Sequence, residues 1–100
     1  MAARSNFSGS KTETGAITLS YDSDLSPSLT GLTVAVEGST GSVTVTVIPK
    51  GMTVARNPGA DGENVIAENG MLSLDLTVPV QSVILTPANA VEYTVAWGQF

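Results

Sequence analysis

The feature that most constrains the fold of this chain is a strict alternation of apolar and polar residues over short segments. In the clearest case, residues 43–47, three valines alternate with Thr44 and Thr46. Successive side chains of a β-strand point to opposite faces, so this pattern predicts a strand with one buried face. The alternation recurs in residues 16–21, 32–37, 71–78, 80–86 and 91–97, and more weakly in residues 52–55 and 65–67. No segment has a sustained helical period.

Turn sequences separate these segments. Residues 57–62 carry the strongest loop signal, and Pro27 lies in a second turn at residues 22–28. We predict that loop 38–41 joins two strands as a β-hairpin and that Asn69-Gly70 forms a type I′ hairpin turn. About seven or eight strands at a spacing of roughly ten residues predict an all-β fold, an antiparallel β-sandwich of Ig-like or jelly-roll-like type, with a small β-barrel as the alternative.

The length suits a single domain. A chain of 100 residues buries one small core. Residues 1–14 are rich in Ser, Gly and Thr, and Phe7 is their one large apolar residue after Met1. We therefore predict a flexible N-terminal arm over residues 1–14 and a β-sandwich domain over residues 15–100.

The composition excludes several kinds of active site. The sequence has no His and no Cys, which excludes disulfides, Ser-His-Asp triads and cysteine nucleophiles. A glycosidase needs two carboxylates across a cleft, and a sandwich of this size has little chain left to build cleft walls. We expect a protein that is not an enzyme, with no catalytic residue, no cofactor and no metal ligand.

Two acidic loops are the alternative candidates for a metal site. Asp22 and Asp24 lie in one loop, and Asp61 and Glu63 lie in another. If both loops met at one end of a sandwich, they would supply the oxygen ligands that calcium prefers. Neither loop repeats its acidic residues as a calcium-binding loop does. Because Asp, Asn and Gly are ordinary turn residues, we interpret both loops as solvated turns.

The charge balance bears on the partners. Nine acidic residues against four basic ones give a formal net charge of −5, and the four basic residues are scattered along the chain. Nucleic-acid binding requires clustered Lys and Arg, and anionic membranes attract basic segments. We expect neither partner. The first residues contain no apolar stretch typical of a secretion signal, so we expect synthesis in a cytoplasm.

The aromatic residues near residue 100 lead to two different predictions. Tyr93 and Trp97 share one face of the last strand with Val91 and Val95, so we predict that they belong to the core. If the two aromatic rings were exposed instead, they would suit a carbohydrate-binding or adhesion module. Phe100 follows the strand and has few core partners, so we expect it to dock on a neighbouring subunit.

Two longer stretches resemble a known group of proteins. Residues 32–51 continue the valine–threonine alternation into Pro49-Lys50-Gly51, and residues 71–97 contain Leu85-Thr86-Pro87 and close on Tyr93-Thr94-Val95-Ala96-Trp97. Both are similar to segments of small β-sandwich structural proteins of tailed bacteriophages. That group includes head decoration (cement) proteins, head-fibre bases and neck or tail accessory proteins.

The resemblance implies a non-enzymatic component of a bacteriophage virion, made in the host bacterial cytoplasm. Its expected partners are the major capsid protein or other virion proteins, which it would bind through its arm and sheet edges as a homo-oligomer or in many copies on the particle. The candidate interface residues are Phe7 and Lys11 in the arm, and Gln99 and Phe100 after the last strand.

Overall fold

The alternating segments fold into eight β-strands. The structure is a computed structural model that describes residues 8–21, 23–26, 29–59, 62–76 and 78–100, and it has no helix in these residues. The strands are β1 (Ser8–Glu13), β2 (Ile17–Ser20), β3 (Gly31–Glu37), β4 (Val43–Pro49), β5 (Val65–Ile66), β6 (Met71–Asp75), β7 (Val80–Pro87) and β8 (Tyr93–Gln99).

The strands form two antiparallel sheets of four. Sheet A has the order β1-β8-β3-β6, and sheet B has the order β2-β7-β4-β5. The chain changes sheet at every connection except the one from β4 to β5. This order is that of an eight-stranded jelly roll, which consists of two Greek keys. The predicted β-sandwich is therefore confirmed.

The core lies between the two sheets and consists of the predicted apolar faces. Val43, Val45 and Val47 of β4 are buried, whereas Thr44 and Thr46 point away from the core. The inner faces of β3 and β8 follow the same rule, with Leu32, Val34, Val36, Tyr93, Val95 and Trp97 all buried. Burial of one such aliphatic side chain contributes about 1.5–3 kcal/mol, so these alternating faces supply most of the stability.

The predicted hairpin at loop 38–41 is wrong, because β3 belongs to sheet A and β4 to sheet B. Each of these strands already has two neighbours in its own sheet. The loop instead crosses the edge of the sandwich. Gly38 and Gly41 adopt φ values of 87° and 88° there, a conformation that costs glycine little.

The predicted type I′ turn at Asn69-Gly70 is also wrong. Gly70 N donates to Ala67 O at 2.8 Å, so the turn spans residues 67–70. Asn69 has a φ of 57°, and Gly70 is not among the residues with positive φ. A type I′ turn requires positive φ at both central residues, whereas a type II turn requires it only at the third position, where Asn69 stands. This turn connects β5 and β6 across the two sheets.

Two further segments differ from the predicted strands. Residues 52–55 form no strand, and Met52 and Val54 are exposed; only Arg56 makes an isolated bridge, to Val47. Val91 lies before β8 and is exposed, so it does not join the core face. Similarly, Val78 is exposed because it lies beyond the end of β6. In each case the apolar residue has no place on a paired strand.

The predicted flexible arm is corrected over Ser8–Glu13, which form β1. This strand pairs with β8 along its whole length, from Ser8 opposite Gly98 to Glu13 opposite Tyr93. Because most of β1 is solvent-exposed, it needs no apolar alternation, and the pattern that revealed the other strands is missing. Residues 1–7, with the candidate Phe7, lie outside the described residues.

Candidate interaction surface

The candidate Lys11 lies on the inner side of the edge strand β1. Its Nζ donates to Asp24 Oδ2 at 3.1 Å and to Thr18 O, on β2, at 3.2 Å. Asp24 Oδ2 also accepts a hydrogen bond from Ser20 N at 3.0 Å. The ion pair therefore satisfies backbone groups on the edge of β2 that has no neighbouring strand. Lys11 closes one side of the sandwich.

Trp97 forms the wall next to this ion pair. It is 7% exposed, its Nε1 donates to Asp24 O at 2.9 Å, and Lys11 Nζ lies 5.9 Å from its ring centroid. Gly9 lies against the ring, and a Cβ at that position would come within 2.8 Å of it. The prediction that Trp97 belongs to the core is confirmed.

Tyr93 is the second core aromatic residue of β8 and is 1% exposed. Its hydroxyl donates to Gly15 O at 2.7 Å, on the connection between β1 and β2. Burial raises the pKa of the Tyr93 hydroxyl above its ordinary value, and the negative charge of Glu13 raises it further. Tyr93 therefore stays neutral and structural at neutral pH.

The candidate Gln99 is tied to the segment that follows β2. Its Oε1 accepts from Ser26 N at 2.6 Å, and its Nε2 donates to Ser26 O at 3.0 Å. With these two bonds, the Gln99 side chain pairs with the backbone of Ser26 as a neighbouring β-strand would. Gln99 and Lys11 are thus both held by internal contacts on the same side of the molecule.

The candidate Phe100 is the most exposed large apolar residue among the described residues, at 71%. Its backbone forms a reciprocal pair with Gly31, with N···O distances of 2.9 and 3.1 Å. Its ring lies on Gly31, where a Cβ would collide with the ring atoms. One side of the ring therefore covers the glycine, and the rest of it faces solvent.

Phe100 lies at one end of the outer face of sheet A, the surface that points away from the core. The register places small residues over most of this face: Ser8, Ser10 and Thr12 of β1; Thr94, Ala96 and Gly98 of β8; Thr33 and Ala35 of β3; and Ser73 of β6. Hydroxyl pairs at 2.8 Å (Thr12 with Thr94) and 2.9 Å (Thr33 with Ser73) cross it. The result is a flat surface.

Met71 of β6 stands out from this flat surface with 69% exposure. Sequence reasoning did not single it out, although the same alternation that turns Leu74 inward turns Met71 outward. Glu37 and Asp75 give the face a negative charge at its rim. The outer face of sheet A therefore combines two exposed apolar side chains with a flat, small-residue surface.

The acidic loops show no metal site in the part of the chain that is described. No group of three or more His, Cys, Asp or Glu residues is placed to hold a metal ion there. Asp24 is engaged with Lys11, and the buried Asn64 donates from Nδ2 to Val45 O at 2.7 Å. Asp22 and Asp61 lie outside the described residues.

Within those residues, no helix is long and apolar enough to span a bilayer. No protein-family model, curated protein or solved structure matches this chain. The function is therefore argued from the site itself.

Proposed function

We propose that this chain is a non-enzymatic structural protein of a bacteriophage virion, a capsid decoration protein or another head or neck accessory protein. It attaches to the major capsid protein or its neighbours through the outer face of sheet A. The observation that carries this choice of attachment surface is the solvent-facing ring of Phe100 at the end of that flat face.

The shape of the face supports a protein partner. Small side chains allow a second flat surface to approach closely, and an exposed aromatic ring provides an anchor of the kind that dominates protein interfaces. Met71 supplies a flexible apolar contact at the other end of the face. The virion assignment is supported by the resemblance of residues 32–51 and 71–97 to phage sandwich proteins.

Repetition of copies on a particle makes a small contact sufficient. One face of a 10.2 kDa chain makes a modest interface, but many copies bound to a lattice gain avidity without new contacts. The jelly roll suits this role because its rigid core holds the face flat. The fold itself does not decide the role, since it also occurs in lectin domains.

The carbohydrate-binding alternative loses its strongest feature. It depended on exposed Tyr93 and Trp97, and both rings are buried. Their polar groups are also occupied by backbone carbonyls. Neither of these two rings can stack on a sugar ring, so we do not propose this function.

The proposal is tested by measuring whether the chain copurifies with virions. Virions are purified on a density gradient from cells that carry the gene, and the fractions are probed with an antibody against this chain. We expect the chain in the virion band. Complete virions that band without it, while the chain stays soluble, would refute the proposal.

A second experiment tests the face. Purified chain is added back to virions that lack it, and bound protein is measured after sedimentation. We expect Phe100→Ala to weaken binding by about tenfold or more, as truncation of an interface anchor does. Val54→Ala is the matched control, because Val54 is also exposed but lies between β4 and β5, which both belong to sheet B.

A further inference from the structure

The outer edge of β6 differs from the other three sheet edges. β2 is covered by the ion pair between Lys11 and Asp24. β5 is only two residues long. β1 carries Lys11 pointing inward at its centre, a device that protects edge strands from pairing. β6 is five residues long, with the sequence MLSLD, and it has no proline and no basic residue.

The hydrogen bonds around β6 show which of its backbone groups are free. Val36 N donates to Gly70 O at 3.0 Å, and Leu76 N donates to Thr30 O. These bonds extend the ladder between β3 and β6 at its two ends. In an antiparallel ladder, alternate residues bond to the same neighbour. The even-numbered residues of β6 therefore bond to β3.

By the same alternation, Met71, Ser73 and Asp75 direct their N–H and C=O groups to the open edge. No hydrogen bond from a described residue reaches these groups. The edge thus presents a regular row of donors and acceptors, which is a template for another strand.

The edge of β6 also borders a groove. A groove of about 420 Å³ runs between loop residues Pro58, Gly59 and Glu63 and four consecutive β6 residues, 72–75. Consecutive residues of a strand point to opposite faces, so a groove that all four of them line must follow the strand edge.

We propose that this edge pairs with the same edge of a second copy of the chain, antiparallel, with the two-fold axis at Ser73. In this register, Ser73 lies opposite Ser73 of the second copy, and Met71 lies opposite its Asp75. Every outward N–H of Met71, Ser73 and Asp75 then meets an outward carbonyl. The two copies of sheet A join into one continuous sheet.

The side chains that this register places opposite each other are compatible. Outer-face residues meet outer-face residues, and Leu72 meets Leu74 on the inner face. No like charges stand directly opposite, because Asp75 faces Met71. Shifting the axis to Asp75 would oppose two carboxylates and leave most of the edge unpaired.

The register also places the two most exposed large apolar side chains in one row of the joined sheet. Phe100 pairs with Gly31, and Gly31 pairs with Asp75, so these three residues form one row across sheet A. In the dimer, Met71 of the second copy extends this row. Asp75 lies between Met71 of the second copy and Gly31 in this row, so both apolar side chains are on the same outer face of the joined sheet.

A single-cysteine variant tests the two-fold axis directly, because the chain has no native cysteine. Residues in hydrogen-bonded antiparallel pairs have Cα atoms about 5.5 Å apart, within the range of a disulfide. At about 10 µM protein, we expect Ser73→Cys to oxidise to a disulfide-linked dimer about a hundredfold faster than random collision allows, since paired strands hold the thiols at an effective concentration near millimolar.

Ser10→Cys is the matched control, because Ser10 is an exposed serine on the outer face of the other edge strand of sheet A. Ser73→Cys cross-linking no faster than Ser10→Cys would overturn the proposal. Both variants are compared in the same non-reducing gel.

A charge swap provides an independent test. Ser73→Lys places like charges opposite each other and should reduce the dimer seen by light scattering, whereas Ser10→Lys should not. Mixing Ser73→Lys with Ser73→Glu should restore a dimer that contains one copy of each. Failure of the mixture to associate would contradict a two-fold axis at this residue. Neither test involves virions, so the dimer can fail while the proposed function stands, and the reverse.

Discussion

At the level of single residues, polar side chains of this protein mainly complete its backbone ladders. Lys11 and Asp24 satisfy the free edge of β2, and Gln99 pairs with both backbone groups of Ser26. Tyr93 reaches the carbonyl of Gly15. The interface role predicted for Lys11 and Gln99 remains a prediction, whereas their internal contacts are visible. Phe100 alone among the described candidates presents most of its side chain to solvent.

Tyr93 should give the stability a pH dependence in the alkaline range. Its folded-state pKa is raised, so the folded state binds the phenolic proton more tightly than the unfolded state does. The corresponding stabilisation is complete below the unfolded pKa of about 10 and is lost as the pH rises through the folded-state value. We expect the free energy of unfolding in urea to fall above about pH 10.

Tyr93→Phe should remove that part of the decline, although it also loses the hydrogen bond to Gly15. Tyr21→Phe is the control, because Tyr21 is only half-buried and follows β2, outside the core face of β8. An unchanged alkaline slope in Tyr93→Phe would show that other groups cause the decline.

At the level of elements, two glycines each lie against an aromatic ring on a neighbouring strand. The two rings differ in whether they can move away from the glycine. Trp97 is enclosed and bonded to Asp24, so it cannot move away from Gly9. Phe100 is exposed at the end of β8, so its ring can leave Gly31. The same local pattern, a cross-strand glycine beneath an aromatic ring, therefore has a structural role in one case and shapes a surface in the other.

Gly9→Ala should destabilise the fold by about 1–3 kcal/mol, the typical cost of overpacking. Gly31→Ala should cost less, because the Phe100 ring can swing into solvent. Urea unfolding of both variants, followed by circular dichroism, makes the comparison. Equal losses would mean that Phe100 is held as firmly as Trp97.

Lys11→Met should lower stability by about 1 kcal/mol, since it removes the charged donor from Asp24 and leaves the carbonyl of Thr18 without the Lys11 hydrogen bond. The value is modest because the lysine side chain is 36% exposed. Lys50→Met is the control: Lys50 lies 4.9 Å from the Tyr21 ring centroid and has no ion pair among the described residues. A larger effect at Lys50 would contradict the edge-covering role of Lys11.

At the level of the whole molecule, β1 completes sheet A and covers one side of the core. It is the outer neighbour of β8 and carries both Lys11 and Gly9. The segment predicted as an arm is therefore part of the domain from Ser8 onward.

Two truncations separate these roles. Removal of residues 1–7 keeps β1 and its pairing with β8 and serves as the reference. Removal of residues 1–13 also deletes the β1–β8 ladder, and at about 0.5–1.5 kcal/mol per hydrogen bond the loss should be about 3 kcal/mol or more. Thermal unfolding of both truncated chains is the measurement. Equal midpoints would restore the arm interpretation.

The sequence by itself determined the strands whose two faces differ. Alternation over residues 32–37, 43–47, 80–86 and 93–97 is a local property, and burial of one face follows from it in any sandwich. The burial of Tyr93 and Trp97 was predictable for the same reason. The jelly-roll order, by contrast, depends on which strand each apolar face finds as a neighbour, and nothing local encodes that.

Only the tertiary structure decided the remaining features. The sequence of loop 38–41 is typical of a hairpin, yet β3 pairs with β8 and β6 in one sheet and β4 pairs with β7 and β5 in the other. β1 has no apolar pattern because its stability comes from the ladder with β8 and not from burial. The exposed pair Met71 and Phe100 shares a surface because of strand register. Long-range pairing sets these features, and a one-dimensional pattern carries no information about it.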